Sequence, residues 1–168
     1  MDFMSTVKGS LLEGFFPEGW DMARIDACCE RADEREPFWH ADFAPQACDS
    51  VHDLDVMMGH EIAREIDVTH REGRKLAIIL PVGPMGMYRW AAYFLNEWGT
   101  PCDHVTTFNM DEWADGEGNT LDSSDPASFE YSMKKAFFSQ LRQTVPPAQR
   151  NFATRQNLPT YPEKIAAL

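Results

Sequence analysis

The sequence predicts a layered α/β fold with a mainly parallel sheet, and three observations carry that prediction. Leu76-Ala77-Ile78-Ile79-Leu80 is apolar on both faces of its pleat, as in a strand covered by helices on either side. Val105-Thr106-Thr107-Phe108-Asn109 is a second β-rich run, and it leads into the adjacent carboxylates Asp111 and Glu112. Stretches of helical periodicity precede, separate and follow these runs, so the order is helix, strand, helix, strand, helix.

Residues 1–50 form the least periodic part and are read as an irregular, partly helical extension to a domain spanning 51–168. Within the extension, Asp21 caps a short helix to Glu34 that stops ahead of Pro37, and Phe38, Trp39 and Phe43 cluster as packing aromatics. The first helix of the domain is expected over Asp53–Arg71. Its apolar stripe is Leu54, Met58, Ile62 and Ile66, widened by Met57 and Ala63, and Gly73 supplies the stop. Pro81-Val82-Gly83-Pro84-Met85-Gly86 breaks the first strand, and Met87–Trp98 is a second helix ended by Gly99.

After the second strand, Asp115-Gly116-Glu117-Gly118-Asn119 reads as a flexible acidic loop. Ser124 or Asp125 is expected to cap a third helix with Pro126 at its first position and Phe129, Met133, Phe137 and Leu141 along its stripe. Residues 144–162, rich in proline, read as a connection, and Pro162–Leu168 as the opening of a further helix. Two strands do not make a stable open sheet. The expectation is therefore the N-terminal portion of a larger α/β domain or, alternatively, a short chain that pairs its open sheet edge with another copy of itself.

Composition narrows the function. At 168 residues, with 43% hydrophobic and 12% aromatic residues, the chain can bury a core and is not a disordered polymer. Its net charge of −12 opposes nucleic-acid binding, and its basic cluster, His70-Arg71-Glu72-Gly73-Arg74-Lys75, suits a helix C-terminus. The four cysteines contain no C-x-x-C pair and are expected as free thiols in a reducing compartment. With neither a signal-peptide pattern nor an apolar run of spanning length, the chain reads as cytoplasmic with no membrane partner. The histidines, His40, His52, His60, His70 and His104, show no metal-ligand spacing; Arg64 stands where a zinc-protease helix would carry its second histidine after His60-Glu61. No metal is expected.

Two places carry chemistry. The turn Gly83-Pro84-Met85-Gly86 lies between a strand and a helix, where backbone N–H groups and the helix dipole favour an anion. Asp111 and Glu112 lie at the carboxyl end of a strand, where open α/β sheets bind ligands, and suit a general base with an orienting partner.

Leu76–Tyr88, then Thr107-Phe108-Asn109-Met110-Asp111-Glu112-Trp113, then Asp125–Met133 with Phe137-Phe138, resemble the glucosamine-6-phosphate deaminase/isomerase family, whose fold sugar-phosphate lactonases share. The resemblance covers roughly residues 51–168. It implies a Rossmann-like three-layer α/β/α sandwich, no cofactor, and isomerisation of an amino-sugar phosphate with loss of ammonia. Asp111 would be the base that takes the C2 proton of the open-chain sugar, Glu112 would support it, and Gly83, Pro84, Met85 and Gly86 would lie at the phosphate. Two features depart from the family. Val82, Pro84 and Met85 replace its turn hydroxyls, and none of the five histidines matches its ring-opening histidine. The expectation is a half-site: deaminase chemistry in a longer chain and no turnover by these residues alone. The alternatives are a non-catalytic sugar- or sugar-phosphate-binding or regulatory protein and a sugar-phosphate lactonase-like hydrolase.

Overall fold

The computed structural model describes residues 47–83 and 85–168. The helix expected over Asp21–Glu34, the Phe38, Trp39 and Phe43 cluster, and Pro84 lie outside the described residues.

Helix α1, Val51–Arg71, starts two residues ahead of the sequence expectation because Ser50 is its cap. The Ser50 hydroxyl accepts from the Asp53 amide at 3.1 Å and donates to the Asp53 carboxylate at 2.6 Å. Gly73, at φ 66°, turns the chain out of the helix through the left-handed region that glycine alone enters without strain.

Strand β1, Leu76–Leu80, helix α2, Gly86–Trp98, and strand β2, Val105–Asn109, then form a β–α–β unit. β1 and β2 pair in parallel from Leu76↔Val105 to Leu80↔Asn109. A third strand, β3, Arg150–Asn151, extends the sheet in parallel on the far side of β2. It lies inside the stretch read as a connection: two residues are too few to show a period, and its Asn151 amide bonds to the Thr107 carbonyl at 3.1 Å to hold the pairing. With helix α3, Phe129–Ala136, and the short helix α4, Tyr161–Ala166, the described residues form an α/β fold on a three-stranded parallel sheet.

The core lies on one face of the sheet. Leu76, Ile78 and Leu80 of β1 and Val105 of β2 face Ala63 and Ile66 of α1 and Met87, Tyr88, Ala91 and Leu95 of α2. On the opposite face Phe108 meets the Tyr161 ring edge-on at 5.2 Å. The expectation that β1 is covered on both faces is corrected: its burial alternates, Ala77 is exposed and Ile79 is 56% exposed. Both long helices pack on the Leu76 side, so a run apolar throughout is buried only every second residue.

The apolar stripe of α1 is likewise rotated from its expected position. Gly59, Ala63, Ile66 and Thr69 are buried, whereas Leu54 and Met58 remain 41% and 43% exposed. Gly59 explains the shift. A Cβ there would lie 2.5 Å from Trp90 Cβ and 2.6 Å from the Met87 carbonyl oxygen, so α1 meets α2 through its backbone and the smallest residues face the seam. The loop Asp115–Asn119, expected to be flexible, is a closed turn. Asp115 Oδ1 accepts from the Glu117 and Asn119 amides at 2.9 and 2.8 Å, and Ala114 bridges Thr120.

Cys48 and Cys102 are free thiols, as expected; burial, aided by the charge of Asp103, pushes the Cys102 thiol up to about 12. No described helix is long and apolar enough to cross a membrane.

Substituting Gly59→Ala forces the two helices apart or off rotamer, a loss of about 1–3 kcal/mol. Urea denaturation measures it; an unchanged midpoint would show that the seam has room for a methyl group.

Candidate functional site

Parallel pairing in register brings the two chemical motifs to one edge of the sheet. Leu80 and Asn109, the last residues of β1 and β2, are partners, and the Met110 amide still donates to the Leu80 carbonyl at 3.1 Å. The turn at 81–86 and the Asp111-Glu112 pair therefore leave the sheet side by side at its carboxyl edge.

The two carboxylates have different environments. Glu112 is half-buried and both of its oxygens are engaged. Oε1 accepts from the amides of Trp113 and Phe129, and Oε2 accepts from the Ser128 hydroxyl and the Glu130 amide, all at 2.9 Å. Phe129 and Glu130 open α3, so Glu112 reaches 17 residues along the chain to place its charge on the positive end of that helix. Ser128 is the N-cap, fully buried, with its hydroxyl accepting from the Tyr131 amide at 3.3 Å. The sequence placed the cap at Ser124 or Asp125. Asp125 instead closes the preceding turn, accepting from the Ala127 amide at 2.9 Å, and Pro126 belongs to that turn. With Glu112 supplying the charge at the helix start, only the later serine is in place to cap it.

Asp111 is exposed, and its carboxylate has no hydrogen bond or ion pair among the described residues. Met110 and Trp113 on either side are 59% and 58% exposed, and the Trp113 ring rests on Phe129 at 5.7 Å. The accessible carboxylate thus sits between two apolar side chains on a segment that Glu112 holds in place.

Asn109, below them, was quoted in the sequence motif but assigned no role. It is 1% exposed, and neither its amide nitrogen nor its side-chain oxygen has a hydrogen-bond partner among the described residues; the hydroxyl of buried Thr107, two residues earlier on the same face, is also unpartnered. Buried polar groups are nearly always paired, so an amide with both ends open at a strand terminus stands out among the described residues. Its signal in the sequence is a polar residue at the last core-facing position of an otherwise apolar and β-branched register.

Across the edge, the Tyr88 hydroxyl donates to the Pro81 carbonyl at 2.5 Å, and burial raises its pKa above the usual tyrosine value. This bond fixes the start of the turn. Met85 caps α2 without a side-chain hydrogen bond, and its amide donates to the Gly83 carbonyl at 2.8 Å, which withdraws one donor from any ligand. Gly86 packs against Asp55 of α1: a Cβ on Gly86 would lie 1.9 Å from Asp55 Oδ2. A carboxylate thus already stands at the helix end that the sequence reading gives to phosphate. Asp55 lies outside the apolar stripe expected of α1, and the structure turns it onto α2. A surface groove of about 490 Å³ between α2 and the segment after α3 is lined by Arg89, Tyr93 and Gln140 among others, and not by the carboxylate pair.

No protein-family model and no curated protein matches the chain. Among solved structures, it is similar to one described as a monomeric glucosamine-6-phosphate deaminase and as a missing link of the NagB superfamily, at 21% identity and a TM-score of 0.57. The match covers 71% of this chain and 48% of that one, so the chain spans about half the length of that deaminase. At this identity the likeness establishes a shared fold.

Removing the Glu112 carboxylate strands three amides and a buried hydroxyl, so Glu112→Ala is expected to lose about 2–4 kcal/mol of stability. Asp111→Asn, at an exposed position, should stay within about 0.5 kcal/mol of the parent. Thermal denaturation of the two variants side by side checks this; equal losses would refute the division between an anchoring and an accessible carboxylate.

Proposed function

We propose that the carboxyl edge of the sheet is a sugar-binding site with Asp111 as its proton-transfer group, in a protein of the glucosamine-6-phosphate deaminase/isomerase type. The observation that carries this reading is the contrast within the acidic pair: Glu112 is fully engaged in structure, while Asp111 is accessible, backed by an Asn109 amide with no partner among the described residues and flanked by the exposed Trp113. The fold shared with a glucosamine-6-phosphate deaminase supports it.

Each group has a task in aldose–ketose isomerisation. A carboxylate is ionised at neutral pH and can take a proton from C2 of an open-chain sugar and return it to C1. Transfer between adjacent carbons by one base requires that base to stay fixed while the substrate reacts, and the four hydrogen bonds of Glu112 limit the freedom of the segment that carries Asp111. Once the edge opens enough to uncover it, the buried Asn109 amide can donate to one sugar oxygen and accept from a hydroxyl, and Trp113 offers an apolar face to the ring. Release of ammonia from an amino sugar also needs a proton donor for ring opening.

A second reading, a sugar-binding protein without turnover, is favoured by one observation. The Asp55 carboxylate against Gly86 repels an anion at the α2 terminus, and Val82 and Met85 offer no hydroxyl there. Under this reading the ligand is a neutral or amino sugar rather than its phosphate.

Incubation with glucosamine-6-phosphate, followed by measurement of ammonia and ketose, tests the catalytic reading. Turnover that falls by at least about 100-fold in Asp111→Asn supports it; turnover unchanged by that substitution overturns the assignment of the base. If there is no turnover, calorimetric titration with glucosamine and with glucosamine-6-phosphate decides the second reading. Binding that Asn109→Ala weakens supports a sugar receptor, and tighter phosphate binding by Asp55→Asn would identify Asp55 as the group that selects against the anion.

A further inference from the structure

At the opposite, amino-terminal edge of the sheet, one donor atom each from His70, Asp103 and His104 lies within 4.8 Å of the others. His70 is in the last turn of α1, while Asp103 and His104 lead directly into β2. These three residues take no part in the site at Asp111, which lies beyond the whole of β2, roughly 16 Å away at the usual rise of a strand.

His104 is prepared as a ligand. Its Nε2 lies 3.1 Å from the Ile66 carbonyl and 3.0 Å from the Thr69 hydroxyl. A carbonyl oxygen only accepts, so Nε2 carries the proton. The Thr69 hydroxyl donates to the Glu65 carbonyl at 2.7 Å, which leaves its oxygen as an acceptor as well. In the neutral ring Nδ1 therefore bears the lone pair. That atom is buried and has no hydrogen-bond partner among the described residues; the nearest carboxylate oxygen, on Asp103, is 3.9 Å away. A lone pair facing a carboxylate has no proton to share with it, and a cation between them would satisfy both. Fixing the far nitrogen of a histidine on a backbone carbonyl is also how metal-ligating imidazoles are oriented. Two of the neighbouring cations are neutralised, Arg71 by Asp67 and Arg74 by Glu72, each in a close ion pair.

We infer that His70, Asp103 and His104 form a transition-metal site, suited to zinc, that ties the C-terminal turn of α1 to the entry of β2. Two imidazoles and a carboxylate are a nitrogen and oxygen donor set that borderline divalent ions prefer, and three protein ligands leave a fourth position for water. Donors about 2.0–2.1 Å from zinc stand roughly 3.4 Å apart in a tetrahedron, so the cluster has to contract. His70 and Asp103 are both exposed and can rotate inward while His104 stays anchored. Spacing within one element could not reveal the site, because His70 lies far along the chain from its partners and on a different element.

Competition against a chromophoric chelator, using the full chain and Zn²⁺ at pH 7.5, tests the inference. The expected result is one bound ion per chain, weakened at least about tenfold by His70→Ala and by Asp103→Asn and unaffected by His52→Ala or His60→Ala. Zn²⁺ should raise the melting temperature of the parent by several degrees and leave that of His70→Ala unchanged. His70→Ala and Asp103→Asn change exposed side chains, so the metal-free proteins should melt with the parent, which separates a lost ligand from a lost fold. No stoichiometric binding, or binding that neither variant weakens, or binding that follows His52 or His60, would overturn the site.

Discussion

The hydrogen bonds from Glu112 to the start of α3 are the contacts on which the candidate site depends. An isolated helix of eight residues is not stable in water, and α3 has its first N–H groups exposed to whatever the chain can provide. Glu112 provides a charge and two acceptors from the end of β2. One side chain thus starts the helix and closes the loop between 112 and 128. Asp111 is carried along, since its neighbour in sequence cannot move without breaking these bonds. The adjacent acidic residues divide into a structural and an accessible carboxylate because only one of them can point back at the helix.

Much of this architecture was legible in the sequence. The two long helices and both long strands were readable from periodicity and β-branching, and their parallel pairing follows from the helix between them. What was not legible involved contacts between distant residues. The cap of α3 is Ser128 rather than Ser124 or Asp125 because Glu112 approaches from elsewhere in the chain. The buried face of α1 is centred on Gly59 rather than Leu54 and Met58 because backbone approach to α2 rewards small residues, and a hydrophobicity pattern gives weight to large ones. β3 is two residues long and depends on its register with Thr107 and Phe108. At the site, Asp111 and the turn at Gly83 were both recognisable, but their adjacency came from strand register, and Asp55 on α1 showed nothing of its role until α1 packed on α2.

Asp55 changes the electrostatics of the turn. A helix N-terminus attracts anions because its first amides lack partners and its dipole is positive there. In this chain α2 begins at Gly86, with the Asp55 carboxylate against that glycine. A ligand phosphate would have to displace the carboxylate or lie beside it, and repulsion between like charges opposes the second arrangement. Gly86 leaves room for the Asp55 carboxylate to lie against it, so a glycine at a strand–helix turn is not by itself a sign of phosphate recognition.

The residues of β2 show how one strand can serve two purposes. Val105 and Phe108 are core residues, one on each face, and they hold the strand rigid between helices. Among the described residues, the buried polar side-chain atoms without a hydrogen-bond partner lie on His104 just before it, on Thr107 at its centre and on Asn109 at its end. Unpaired polar atoms in a dry interior lower stability. At the carboxyl end stands the accessible carboxylate of Asp111, the group that the proposed function uses for proton transfer. At the amino end the donors are imidazole and carboxylate, and a divalent cation completes them better than any organic group. The two ends differ in chemistry because the sheet directs different neighbours to each: a turn and a helix start to one, a helix end and its histidine to the other.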